Sequence, residues 1–256
     1  MRAEKRRLWS SQSKGFAMST ERVENDERQR LQRQYAEIAT LAGGLAHEIK
    51  NPLSTMSMLL ELLEEDLDGA ESQRERRMLT KVQTIQKECR HLEDILNAFL
   101  KFARVGELTL TPTDLNFVVT EFIDFFAAEA KEHRVEISPH LDSDLPRVSL
   151  DVALMRQVLL NLALNAQQAM PNGGLLELQT FARDGRVHLA VIDNGQGMDE
   201  KTRSRLFEVF FSTKPSGNGL GLPTVRKIVD AHRGTITCES ELGRGTRFTI
   251  SLPPAA

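Results

Sequence analysis

Between Leu31 and Leu63 the apolar positions are Leu31, Tyr35, Ile38, Ala42, Leu45, Ile49, Pro52, Met56, Leu59 and Leu63, at intervals that alternate four and three. This unbroken heptad seam predicts a long helix with one apolar stripe. The stretch Asp66-Leu67-Asp68-Gly69-Ala70 supplies a stop and a turn near Leu67. A second run, Met78, Val82, Ile85, Cys89, Leu92, Leu96, Phe99 and Ala103, repeats the alternation. Two such helices form an antiparallel hairpin with one stripe each. Two helices enclose only a thin core, so a second copy of the chain is expected to complete a four-helix bundle, a homodimer. The stripe runs the full helix length, which favours this over a stripe laid on the downstream part of the chain.

Past Arg104-Val105-Gly106-Glu107 the period changes. Short strands are expected at Leu108–Leu110 and Val135–Ile137, around a helix from Asp114 to about His133. Asp151 caps a helix that Pro171-Asn172-Gly173-Gly174 follows. Alternation then marks strands at Leu176-Leu178-Thr180, at Val187-Leu189-Val191, and at Ile236 with Phe248 and Ile250. Asp199 to Phe207 has helical composition, and a last helix runs from about Pro223 to His232. The expected fold is a helical hairpin followed by an α/β layer structure, with helices on one face of a largely antiparallel sheet. The domains read as a charged tail and lead-in over 1–30, the hairpin over 31–105 and an α/β domain over 108–254.

Bulk composition narrows the partners. The chain has 256 residues, 27% charged and 40% hydrophobic, with a net charge of −3. Nothing in that balance calls for nucleic acid. No run approaches the roughly 18 apolar residues of a membrane span, and the basic start (Arg2, Lys5, Arg6, Arg7, Lys14) is followed by no apolar stretch of a signal peptide. Cys89 and Cys238 fit no metal spacing, and Cys89 falls on a seam. A cytoplasmic protein with no transmembrane segment is expected.

Four places on the chain could carry chemistry. On the first helix the seam puts His47 at the heptad position farthest from the stripe, with Asn51 four residues on over the same face. Pro52 removes a backbone donor beside them. A solvated surface histidine is the plain alternative. Asn161 and Asn165, again four apart, point the same way from a mostly apolar helix. They need partners: either a loop that hydrogen-bonds them, or Mg²⁺, which takes amide oxygens. Asp193-Asn194-Gly195-Gln196-Gly197 follows a strand, as a hairpin turn or as a carboxylate that accepts from an exocyclic amine such as that of adenine. Gly217, Gly219 and Gly221 lead into a helix N-terminus just after Lys214, a flexible lid attractive to phosphates. This run is neither the dinucleotide pattern, since Leu222 stands where a glycine is required, nor a P-loop. Thr246 lies between a turn and the last strand.

Taken together and in this order, these features resemble the two-component sensor histidine kinases, specifically the soluble nitrogen-regulator-like group with a His-Glu-x-x-Asn histidine box. The resemblance covers about residues 35 to 253. It implies a dimerisation and histidine-phosphotransfer hairpin, then an ATP-binding domain of the type shared with gyrase, Hsp90 and MutL. His47 matches the phospho-acceptor, Asn165 the Mg²⁺-binding asparagine and Asn161 its neighbour in the same box. Asp193 matches the adenine-reading aspartate, with Gly195 and Gly197 its glycines. Phe207 and Phe210 belong to the phenylalanine box, Gly217, Gly219 and Gly221 to the second glycine box with Leu222 beside them, and Thr246 to the adenine site. Val209 departs from a frequent proline and Asn218 from a common threonine, both in the lid.

The activity implied is autophosphorylation of His47 from ATP with Mg²⁺, positioned by Lys214 and the lid. Glu48 is the family's base, although side chains of helix neighbours diverge by about 100°. The phosphoryl group would pass to an aspartate on the receiver domain of a separate response regulator, and Asn51 can orient water for the reverse dephosphorylation. Fewer than about 35 residues precede the hairpin, too few for an ordinary sensory domain, so input is expected through an upstream partner or the N-terminal helix. An ATP-gated conformational protein and a dimeric scaffold that binds a regulator are the competing classes.

Overall fold

The computed structural model describes residues 49–67, 69, 72–104, 108–214 and 217–255. The chain divides into two compact units, Met1–Gln83 and Thr84–Ala256. The boundary falls inside a helix, so the C-terminal two thirds of that helix belongs with the α/β layers.

Residues 49–66 form helix α1, and Gln73–Arg104 form α2. Gly69 between them has φ +79°, a left-handed conformation that suits glycine. Ser72 and Glu75 cap α2 reciprocally: Glu75 N–H donates to Ser72 Oγ, and Ser72 N–H to Glu75 Oε2. The two columns of each seam have different fates. In α2, Val82 and Cys89 are buried, whereas Met78, Ile85 and Leu92 are about half exposed. In α1, Met56, Leu59 and Leu63 of the expected stripe are likewise exposed, and the buried residues are Leu53 and Leu60, one position beside the seam. The apolar arc is therefore wider than a single stripe, and only one side of it is covered within the chain.

The α/β part is built on a five-stranded sheet in the order β2-β4-β5-β7-β6. The strands are β2 (Val135–Leu141), β4 (Gly174–Arg183), β5 (Arg186–Asp193), β6 (Thr235–Glu241) and β7 (Gly245–Leu252). All pairs are antiparallel except β2 with β4, which are parallel. A small second sheet pairs β1 (Thr111–Thr113) with β3 (Val148–Leu150). The expected strand at Leu108–Leu110 is thus displaced by three residues: Leu110 is 47% exposed and outside the pairing. The paired segment carries Pro112, which a strand edge tolerates.

Helices α3 (Leu115–Glu132), α4 (Val152–Ala169) and α6 (Gly221–Ala231) bury their apolar sides with the sheet in one core, and the short α5 (Glu200–Arg205) follows β5. The strands alternate buried and more exposed residues, so the layer of helices covers one sheet face. The cap read from sequence at Asp151 is in place, and Asp114 caps α3 in the same way. Asp114 accepts from Asn116 N–H at 2.9 Å, and Asp151 from Leu154 N–H at 3.1 Å. Asp151 also accepts from Thr109 N–H, and its own N–H donates to Nε2 of the buried His232. That ring's Nδ1 sits 2.8 Å from the Ile228 carbonyl, which fixes the neutral tautomer with its proton on Nδ1. Helix α6 begins at Gly221, two residues before Pro223, which remains in its first turn.

Candidate functional site

The candidate residues lie along one face of α4. At its C-terminal end the Ala169 carbonyl accepts from Gln196 N–H at 3.0 Å, and a Cβ on Gly195 would meet that oxygen at 2.6 Å. Only glycine lets the turn after β5 approach this closely. That turn holds Asp193 in place: its Oδ1 accepts from Gly195 N–H at 2.9 Å, and the side chain is 6% exposed. Burial raises the Asp193 pKa above the ordinary carboxylate value, while the Gly195 and Thr246 backbone and Lys214 pull it back. Thr246 pairs with Asp193 across β5 and β7 and is buried. Its Oγ1 is 3.0 Å from Ser240 Oγ, which also accepts from Met198 N–H and donates to the Gly245 carbonyl.

One turn back along α4 stands Asn165. The Lys214 ammonium donates to its Oδ1 at 3.1 Å and to Gln168 Oε1 in a shorter bond. Two amide oxygens are thus turned toward one cation, a donor set that also suits a hard metal ion such as Mg²⁺. Burial lowers the Lys214 pKa, and the Asp193 carboxylate opposes that. One further turn back, Asn161 Oδ1 lies 3.8 Å from where a Gly221 Cβ would stand, at the start of α6. Helix α6 has no side-chain cap, and exposed N–H groups at such an end suit an anion.

The segment between α5 and α6 carries the glycines and phenylalanines. Phe210 has φ +65° and donates its N–H to the Gly219 carbonyl at 3.0 Å. Gly219, at φ +65°, would place a Cβ 2.4 Å from the Phe210 carbonyl carbon. Asn218 Oδ1 accepts from Leu220 N–H, and Gly217 N–H donates to the Lys214 carbonyl. Phe207 lies under the Arg226 guanidinium, 5.5 Å from the ring centroid, and Leu222 beside it is half-buried. From Asn161 and Gly221 the site opens into a cleft of about 930 Å³ whose walls include α2, α3 and α4.

A buried strand-end carboxylate, two cation-facing amides on one helix and a glycine-rich lid are the parts of a nucleotide site. Comparison with known proteins agrees. Residues 150–256 match the family described as histidine kinase-, DNA gyrase B- and HSP90-like ATPase, and residues 37–108 match the His Kinase A (phospho-acceptor) domain. The chain belongs to the two-component sensor histidine kinases. Sporulation kinase E of Bacillus subtilis is 33% identical over 239 residues, 93% of this chain and 31% of that protein. Full-length ShkA in complex with AMPPNP superposes with a TM-score of 0.67 at 32% identity, covering 86% of this chain and 46% of that one. The histidine kinase ThkA matches as its nucleotide-free catalytic domain, at 30% identity, TM-score 0.53 and 57% of this chain against 97% of that one. In complex with response regulator protein TrrA it matches at 26% identity, TM-score 0.63, 90% of this chain and 66% of that one. The chain spans less than half the length of sporulation kinase E and of ShkA.

Within this histidine kinase, Lys214 meets Asn165, Gly195 abuts Ala169 at the end of α4, Gly221 lies beside Asn161, and Thr246 pairs with Asp193 across the strands, whereas Gly197, Gly217 and Gly219 neighbour other segments. His47 and Glu48 lie outside the described residues. Asn51 is described: it is exposed on α1, and its carbonyl accepts from Thr55 Oγ1. Phe210 points elsewhere than expected of a nucleotide contact: it is 60% exposed and stacks on Phe99 of α2. Two residues join the site that sequence reasoning passed over. Gln168 stands three after Asn165, on the same helix face, a spacing that could have revealed it. Ser240 is legible only once β6 is folded against β7. Among the described residues no group of three or more His, Cys, Asp or Glu could hold a metal. No described helix is long and apolar enough to cross a membrane.

Proposed function

We propose that this chain is an ATP-dependent protein-histidine kinase that phosphorylates its own His47 and passes the phosphoryl group to an aspartate of a separate response regulator. The observation that carries the reading is the line of groups on α4. Asp193 stands at the C-terminal end, Asn165 with its captive ammonium in the middle and Asn161 toward the cleft. From Ala169 to Asn161 this face spans about 12 Å at 1.5 Å per residue, the length of a nucleoside triphosphate. Asp193 accepts from the adenine amine, and Thr246 and the glycines Gly195 and Gly197 shape the pocket for the base. Asn165 would hold Mg²⁺ together with the phosphates, and Lys214, now bonded to the amides, would pair with phosphate oxygens. Bound Mg²⁺ would neutralise charge on the phosphates.

The chemistry needs little covalent work from the protein. The neutral imidazole of His47 attacks the γ-phosphorus in line, the bond to the ADP oxygen breaks, and Glu48 takes the proton from the second ring nitrogen. Asn51, exposed on α1, orients water in the reverse dephosphorylation of the regulator. The exposed columns of α1 and α2 support a homodimer through the hairpin, and the ThkA complex supports a response-regulator partner. Cys89 and Cys238 are free thiols, in keeping with a reducing, cytoplasmic location.

The test is direct. Incubated with labelled ATP and Mg²⁺, the wild-type chain should acquire acid-labile, alkali-stable phosphate, and His47→Gln should acquire none while still binding nucleotide. Wild-type labelling of the variant removes His47 from the role. Absence of ATP binding by the wild type removes the whole reading.

A further inference from the structure

A buried lysine on α6 has no part in that chemistry. Lys227, on α6, is 8% exposed. Its Nζ donates to the carbonyls of Phe102 at 2.7 Å and Ala103 at 3.1 Å, and lies 4.8 Å from the centroid of the Phe102 ring. Helix α2 ends at Arg104, so both carbonyls belong to its last turn, whose acceptors are available to other elements. Lys227 is therefore a C-terminal cap supplied by another element, favoured by the helix dipole and the ring face. Phe102 and Ala103 are themselves 5% and 2% exposed, so the contact is sealed from water. Burial pulls the Lys227 pKa down to about 8. An apolar side chain would fill this place without that penalty.

What the cap holds in place is the wall of the cleft. Asp94, Asn97 and Lys101 of α2 face Asn161, Asn218 and Gly221 across it. Phe99, on the same stretch of α2, stacks on Phe210 of the lid with ring centroids 6.5 Å apart. The open end of the nucleotide site thus looks onto α2. We propose that Lys227 is a releasable clasp, which caps α2 and holds it across the phosphate end of the site, so that the clasp must open before the γ-phosphoryl group can reach the histidine. A charged clasp suits release, because an ammonium recovers its hydration on leaving whereas an apolar contact loses burial. Lys227 acts through α2 and is a positioning residue; it touches neither the nucleotide nor the reacting atoms. The gating half of the proposal rests on the kinase reading above, which sets where the phosphates point. The cap itself does not.

Two measurements on the whole chain separate these halves. In nucleotide-free protein, hydrogen exchange at the amides of residues 101–104 should speed up about tenfold in Lys227→Met, with β4 and β5 still protected. Lys227→Arg, which keeps two donors for the carbonyls, should restore protection. Unchanged exchange in Lys227→Met overturns the cap. With saturating ATP and Mg²⁺, Lys227→Met should autophosphorylate about threefold faster with its ATP KM within about twofold of wild type. Phe99→Ala, which removes the neighbouring contact, should shift the rate in the same direction. An equal or slower rate in both variants overturns the gating. A wild-type chain that binds no ATP overturns it too, and the exchange result would still decide the cap.

Discussion

Leu178 and Leu189 in the sheet are wholly buried, whereas Leu59 and Ile85 in the hairpin helices leave 51% and 50% of their surface open. The residue types are alike; the number of layers differs. A sheet covered by three helices closes its core within one chain. Two helices side by side cover one flank of each other and leave the second flank to a further partner. The first region can therefore fold to a finished surface alone, and the second is a finished object only as part of the proposed homodimer. Its stability then depends on protein concentration, and that of the nucleotide domain does not.

The contrast can be broken from either side. Leu189→Ala should cost about 3 kcal/mol of folding stability; denaturant unfolding followed through the loss of nucleotide binding checks it. The same substitution should leave dimer dissociation unchanged. Conversely, Leu59→Asp combined with Ile85→Asp should weaken the dimer about 100-fold, roughly 2.7 kcal/mol, with nucleotide affinity retained. Sedimentation equilibrium over a dilution series reads the first and a binding titration the second. A double variant that dimerises like the wild type would remove the exposed columns from the interface. The smallest effect concerns pH. His232 is held neutral, its pKa lowered by burial and its Nε2 accepting from Asp151 N–H. A histidine whose folded pKa lies below its unfolded value of about 6.5 contributes stability that is present above pH 6.5 and lost as pH falls through that value. Thermal melts between pH 8 and 5 should show this loss, and a His232→Gln variant should flatten it.

Much of this architecture was legible because its signals are local. Asp114, Asp151 and Asp199 mark helix starts by side chains that bond their own first turn, so spacing alone finds them. The paired asparagines of α4 are a second local signal, since two costly amides four residues apart on an apolar helix call for polar neighbours, although Lys214 reaches Asn165 and Gln168 while Asn161 lies beside Gly221. What escaped is non-local. Strand β3 has three residues, too few for a period, and exists through its pairing with β1. Leu53 and Leu60 are buried although the heptad count passes them by, because the covered flank of the helix lies one position beside the counted seam. Lys227 reads as an ordinary surface lysine until the end of α2 arrives beside it. The place of Lys214 between Asn165 and Gln168 likewise depends on how the lid folds back.

The bond from Phe210 N–H to the Gly219 carbonyl closes the lid into a ring at its base. For a ring pinned this way, length is nearly free: doubling the enclosed chain costs about 0.6 kcal/mol. Gly219 is the fixed point of the ring, since any side chain there would collide with the Phe210 backbone. Added length inside the ring, away from Lys214, therefore costs less than any change at its clasping pair, so the lid can be refitted to new demands without disturbing the helix that follows it.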